Sequence, residues 1–134
     1  VSLRINLKAH EKIIIGKTLI VNGDTKSSFV IEGDDVPILR ERFILSEKNV
    51  KTPVQRLYFL VQLMYVSGDA EPYRKDYFSM VDDVSTAAPS FFPALMAVTD
   101  LVRDESYYAA LRALQAILER ESELLSLAVQ SPAP

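Results

Sequence analysis

The stretch Thr52–Gly68, TPVQRLYFLVQLMYVSG, constrains the fold of this chain more than any other. Thr52 can cap a helix N-terminus, and Pro53 suits the first helical position, where an N–H would go unpaired. Leu57, Leu60, Val61, Met64 and Tyr65 recur at helical spacing. One polar stripe runs through Gln55 and Gln62. Phe59 and Val66 fall close to that same stripe, so the side expected to face water is half apolar. A helix of this kind is central in a domain or is covered by a second chain. It is too short, and too interrupted by glutamine, to cross a bilayer. Gly68 suits the left-handed residue that ends it.

Before this helix the period is two. Leu3, Ile5 and Leu7 alternate with Arg4, Asn6 and Lys8, the pattern of a half-buried strand. Short strands are expected at Ile13–Ile15, continuing past a Gly16 kink into Thr18–Val21, and at Ser28–Ile31, with a last strand-like run over Val36–Phe43. Asn22-Gly23-Asp24 is a hairpin signal between two of them. After Gly68 the helical period resumes over about 69–88, 90–103 and 105–127, with Ser90 and Asp104 as expected caps. Tyr107, Leu111, Leu114, Leu118 and Leu125 form the last stripe, broken at Glu121. The expected class is α+β: a small antiparallel sheet domain at 1–50, a four-helix unit at 51–130, and a disordered tail at 131–134 with nothing to bury.

The net charge of −3 does not advertise nucleic-acid binding, but it is unevenly placed. Residues 1–50 hold eight Lys/Arg against seven Asp/Glu, while 51–134 hold seven against eleven. An acidic chain can still present a basic face. The absence of cysteine excludes disulfides and thiolate chemistry and suits a reducing cytoplasm. No secretory signal or membrane span is visible. Catalysis is not expected either. The one histidine, His10, sits in a turn, and the carboxylate pairs Asp34-Asp35 and Asp82-Asp83 read as turn and surface charge. No phosphate loop and no nucleophile–base pair is present, and no cofactor or metal is expected.

The basic residues of the sheet are the candidate site. Arg4, Asn6 and Lys8 share one face of the first strand, and Arg40 and Arg42 share one face of the last. Were those strands neighbours, a cationic strip would result that could hold RNA phosphates, with Asn6 reading a base edge. An ordinary solvent face balanced by Glu11 and Glu41 also fits, and spacing alone favours it. A homodimer is expected from size and edge arguments. Fifty residues of strand bury little by themselves, and the Leu3–Ile5–Leu7 strand has no partner fixed by a tight hairpin. Phe59 and Val66 are the alternative interface.

Thr52-Pro53-Val54-Gln55-Arg56-Leu57-Tyr58-Phe59, followed by Met64-Tyr65, resembles the TPxRRxYF…MY signature of FlbT, the flagellar post-transcriptional regulators of alpha-proteobacteria. Val21-Asn22-Gly23-Asp24, Ile38-Leu39-Arg40-Glu41 and Tyr107-Tyr108-Ala109-Ala110-Leu111 resemble further family segments, over roughly residues 2–122. Gln55 stands where the family has the first arginine of its pair. The resemblance implies a protein that binds the 5′ untranslated region of flagellin messenger RNA, restrains its translation and shortens its life. Some relatives act in the opposite sense. It also implies work alongside FlaF, so the rival reading is an adaptor holding flagellin or a FlaF-like partner. The sheet alone is similar to the CsrA translational regulators, strand-exchanged dimers in which the positions matching Arg4, Asn6, Lys8 and Arg40 grip RNA.

Overall fold

In the computed structural model, which describes residues 2–130, the alternating N-terminus becomes β1 (Ser2–Leu7). It is followed by β2 (Lys12–Ile15), β3 (Thr18–Val21), β4 (Ser27–Glu32) and β5 (Ile38–Arg40), then by four helices, so the class is α+β. The expected tail at 131–134 lies outside the described residues. The chain divides into two compact units. One runs to Ile44 and takes in Val66–Gly68; the other holds Leu45–Tyr65 and the residues from Asp69 onward.

The first unit contains two small sheets. β1 pairs antiparallel with β4, from Ser2 opposite Glu32 to Leu7 opposite Ser27. The other sheet has the order β3-β2-β5. Ile5, Leu7 and Ile13 are buried together, with Ile15, Phe29, Ile31 and Ile38 packed against them. The β1 edge, expected to await another chain, is therefore taken on one side by β4. Ile5 and Leu7, expected at a subunit interface, lie in the core of their own unit at 2% and 3% exposure; Leu3 stays exposed at 46%.

Two turns differ from expectation. Ile15 opposes Thr18, so Gly16-Lys17 is the two-residue connection of a β2–β3 hairpin, not a kink within one strand. Gly16 has φ 63°, the left-handed backbone that such a turn demands at its first position. Asn22-Gly23 does not join paired strands, because β4 turns away to β1. The expected run to Phe43 stops at Arg40, and Glu41–Phe43 forms a 3-10 turn. Arg40 and Arg42 consequently do not share a strand face.

The second unit is built on α1 (Pro53–Ser67), α2 (Glu71–Ala87), α3 (Phe92–Arg103) and α4 (Tyr107–Gln130). α1 buries Val54, Leu57, Tyr58, Leu60, Val61 and Met64, as an apolar central helix should, while Phe59 and Val66 are half-buried. Its polar stripe is not a solvent stripe. Gln62 is buried and its amide both donates to the Leu45 carbonyl (2.9 Å) and accepts from the Leu45 N–H (2.8 Å). Gln55 closes a capping box: its Oε1 accepts from Thr52 N–H (3.1 Å) and Lys51 N–H (2.7 Å), while the Thr52 hydroxyl accepts from Gln55 N–H (3.1 Å). The break in the α4 stripe has the same origin. The Glu121 carboxylate accepts from the Thr52 hydroxyl and from Val54 N–H (3.1 Å), placing negative charge at the positive end of α1.

The buried side of α4 comprises Ala110, Leu111, Leu114 and Ile117; the expected Leu125 is exposed at 49%. Ser90 falls within a 3-10 turn, Pro89–Phe91, and Asp104 closes α3 instead of opening α4. Tyr77 on α2 shares a 2.9 Å hydroxyl–hydroxyl bond with Thr99 on α3, both buried. Gln55→Ala is expected to cost about 0.5–2 kcal/mol, as cap removals do, and Gln55→Glu to keep most of that. Urea unfolding measures both, and an unchanged midpoint for Gln55→Ala would show the cap to be idle.

Candidate functional site

A groove of about 920 Å³ opens on the first unit. Its walls come from the end of β1 and the turn after it, the start of β4, and the end of β5. The pairing explains the convergence. Asn6 and Leu7 oppose Ser28 and Ser27 across β1–β4, which brings Lys26 alongside Lys8. β5 lies antiparallel to β2, with Arg40 opposite Ile13, and carries Arg40, Glu41 and Arg42 to the other wall. Lys8, Lys26, Arg40 and Arg42 face two carboxylates, Glu11 and Glu41, so the lining is net positive in a chain of net charge −3.

Arg40 is held in place. Its Nη2 donates to the Asn6 carbonyl at 2.9 Å and lies 3.4 Å from Glu11 Oε2. Glu11 accepts the Lys8 backbone N–H through its other oxygen at 2.8 Å. That bond, with Arg40 beside it, keeps the Glu11 carboxyl below the usual range and therefore charged at neutral pH. Glu41 accepts from the Lys12 N–H at 3.3 Å. The Arg42 guanidinium sits 4.9 Å from the Phe43 ring centroid.

Asn22 ties the turns at the groove's end together. Its Nδ2 donates to the carbonyls of Lys8 (2.7 Å) and Thr25 (2.9 Å), and its Oδ1 accepts from the Ser27 hydroxyl (2.8 Å). His10 takes φ 63° and donates its backbone N–H to the Gly23 carbonyl at 2.9 Å; its Nε2 is 3.4 Å from Asp24.

Of the five residues expected to form the site, the groove gathers Asn6, Lys8, Arg40 and Arg42. Arg4 shares the face of Asn6 but sits farther along β1, opposite Val30 and outside the groove. Lys26 and His10 were not expected. Lys26 joins because β4 pairs with β1, a partnership that no local signal carries. Such a groove can hold a polyanion through several cations at once. Among the described residues no group of three or more His, Cys, Asp or Glu side chains is placed to hold a metal ion.

Residues 3–125 match the model of a protein family described as "Flagellar protein FlbT". The chain belongs to the FlbT family. Among similar proteins is the "Probable flagellum biosynthesis repressor protein FlbT" of Rhodopseudomonas palustris (strain TIE-1), 41% identical over 124 residues, covering 92% of this chain and 98% of that one. The "Probable flagellum biosynthesis repressor protein FlbT 1" of Bradyrhizobium diazoefficiens is 38% identical, with 92% and 84% covered. The "Flagellum biosynthesis repressor protein FlbT" of Caulobacter vibrioides (strain ATCC 19089 / CIP 103742 / CB 15) is 27% identical, with 92% and 89% covered. No solved structure matches. The FlbT match spans the groove, α1 to α3 and most of α4, and it includes both Arg40 and the capping box that opens α1.

Proposed function

We propose that this FlbT-family chain regulates flagellar synthesis, performs no chemistry itself, and acts by binding RNA in the groove of its first unit. The regulatory part rests on relatives named flagellum biosynthesis repressors. The RNA part rests on one observation: four cationic side chains and Asn6 line a groove with only two carboxylates. Lys8, Lys26, Arg40 and Arg42 contact phosphates, and Asn6 is the candidate for a base edge. The target is the 5′ untranslated leader of flagellin messenger RNA. Occupying it blocks the ribosome and exposes the transcript to nucleases, in the cytoplasm where translation occurs. No helix among the described residues is long and apolar enough to cross a membrane.

A second reading has its own support. α4 exposes Leu124, Leu125, Leu127 and Val129 at its end, a surface suited to a helical protein partner such as flagellin or a FlaF-like protein. Binding of flagellin leader RNA across a salt series separates the two. On the RNA reading, affinity falls steeply with salt. Arg40→Ala weakens binding and flattens the slope by about 0.7–0.9 for each phosphate no longer neutralised. Arg40→Lys is only partly tolerated, because an ammonium cannot reproduce the forked hydrogen bonds of a guanidinium. A protein that ignores RNA at low salt and binds only flagellar polypeptides would be the adaptor.

A further inference from the structure

β3 is the terminal strand of its sheet, and all four of its residues are exposed, with Leu19 at 52%, Ile20 at 37% and Val21 at 55%. The direction of its backbone groups follows from the ladder. Asn22 N–H donates to the Glu11 carbonyl, and the register sets Ile13 opposite Ile20 and Ile15 opposite Thr18. Thr18 and Ile20 therefore spend their polar groups on β2, while Leu19 and Val21 aim theirs at the open edge. Thr18–Val21 has no proline and no charged side chain, the usual guards of an exposed edge.

We infer that β3 pairs antiparallel with β3 of a second copy of this chain, about a twofold axis perpendicular to the sheet. This inference is independent of the RNA reading. Such an axis makes opposing residues share a face, so Leu19 meets Leu19 or Val21 and Ile20 meets Ile20 or Thr18. The strand is thus its own complement on both faces. Charge selects the antiparallel sense. Lys17 precedes the strand and Asp24 follows it, so an antiparallel pair carries each Lys17 toward the Asp24 end of the other strand, one residue short of Asp24 of the partner subunit when Leu19 faces Val21, whereas parallel strands would set like against like. Asp24 has 93% of its side chain exposed, beside His10. With Leu19 opposite Val21, Lys17 meets Gly23, where not even a Cβ would touch a neighbour within 4 Å. The product is a six-stranded sheet, β5-β2-β3-β3-β2-β5, whose outer strands lie about 24 Å apart at the usual strand spacing. Each carries its own Arg40.

Sedimentation equilibrium of the full chain tests this, with hydrogen exchange at the Leu19 and Val21 amides. The expected mass at tens of micromolar is twice the chain's 15.0 kDa, with both amides protected. Leu19→Pro removes an N–H that β2 does not use. Leu19→Lys puts like charges at the axis. Each should raise the dissociation constant at least tenfold while the circular dichroism stays that of the parent. If Leu19→Pro unfolds, Leu19→Lys and the parent's exchange decide. A monomer at this concentration would overturn the inference and leave the edge to a different strand. So would a dimer whose Leu19 and Val21 amides exchange freely, which would move the interface elsewhere, the exposed end of α4 first.

Discussion

Leu57→Ala is expected to lower the unfolding free energy by about 2–5 kcal/mol, the range for removing a large aliphatic side chain from a packed core. Leu57 is 0% exposed, on the same helix as Val54 and Val61, also 0%, and Met64 at 1%. The deleted methyl groups forfeit their transfer energy, and the walls of the cavity relax only in part. Leu60, at 5% exposure, belongs to the same set and should behave alike. Urea unfolding followed by circular dichroism measures the change as a shift of midpoint at constant slope. A midpoint unchanged within error would place Leu57 outside the core.

Gln62→Leu should cost about 1–3 kcal/mol although it makes the helix more apolar, since a buried polar group left unpaired costs about that much and the two Leu45 groups are part-buried. The side chain nearly conserves volume, so packing contributes little. The substitution removes the two-way amide clasp on Leu45, and both its N–H and its C=O go unpartnered. The Leu45 amide should then exchange with solvent faster than in the parent. A variant of parental stability with an unchanged Leu45 exchange rate would show that water replaces the clasp at no cost.

The elements that were legible in the sequence are those whose signal is local. The apolar period over Leu57–Tyr65 announces α1, Gly68 ends it with φ 72°, and the Leu3/Ile5/Leu7 alternation announces β1. What was not legible depends on which strands and helices meet. Asn22-Gly23 has the composition of a hairpin turn, yet Gly16-Lys17 makes the hairpin, because β4 finds β1. Gln62 looks like one end of a polar stripe, but its partner, Leu45, lies seventeen residues away in the chain. Glu121 looks like a flaw in a heptad until the N-terminus of α1 is set before it. The candidate site shows the same division. Asn6, Lys8, Arg40 and Arg42 stand out by charge and spacing, whereas Lys26 needs the β1–β4 pairing to enter the groove, and Arg4, two residues before Asn6 on the same face of β1, lies outside it.

Backbone amide chemical shifts recorded while flagellin leader RNA is added at low salt test the RNA-binding groove most directly. The predicted result is a saturable set of shifts confined to residues 6–11, 26–28 and 40–42, abolished together as salt rises. Shifts confined to the helices, or none at RNA concentrations of tens of micromolar, would contradict it.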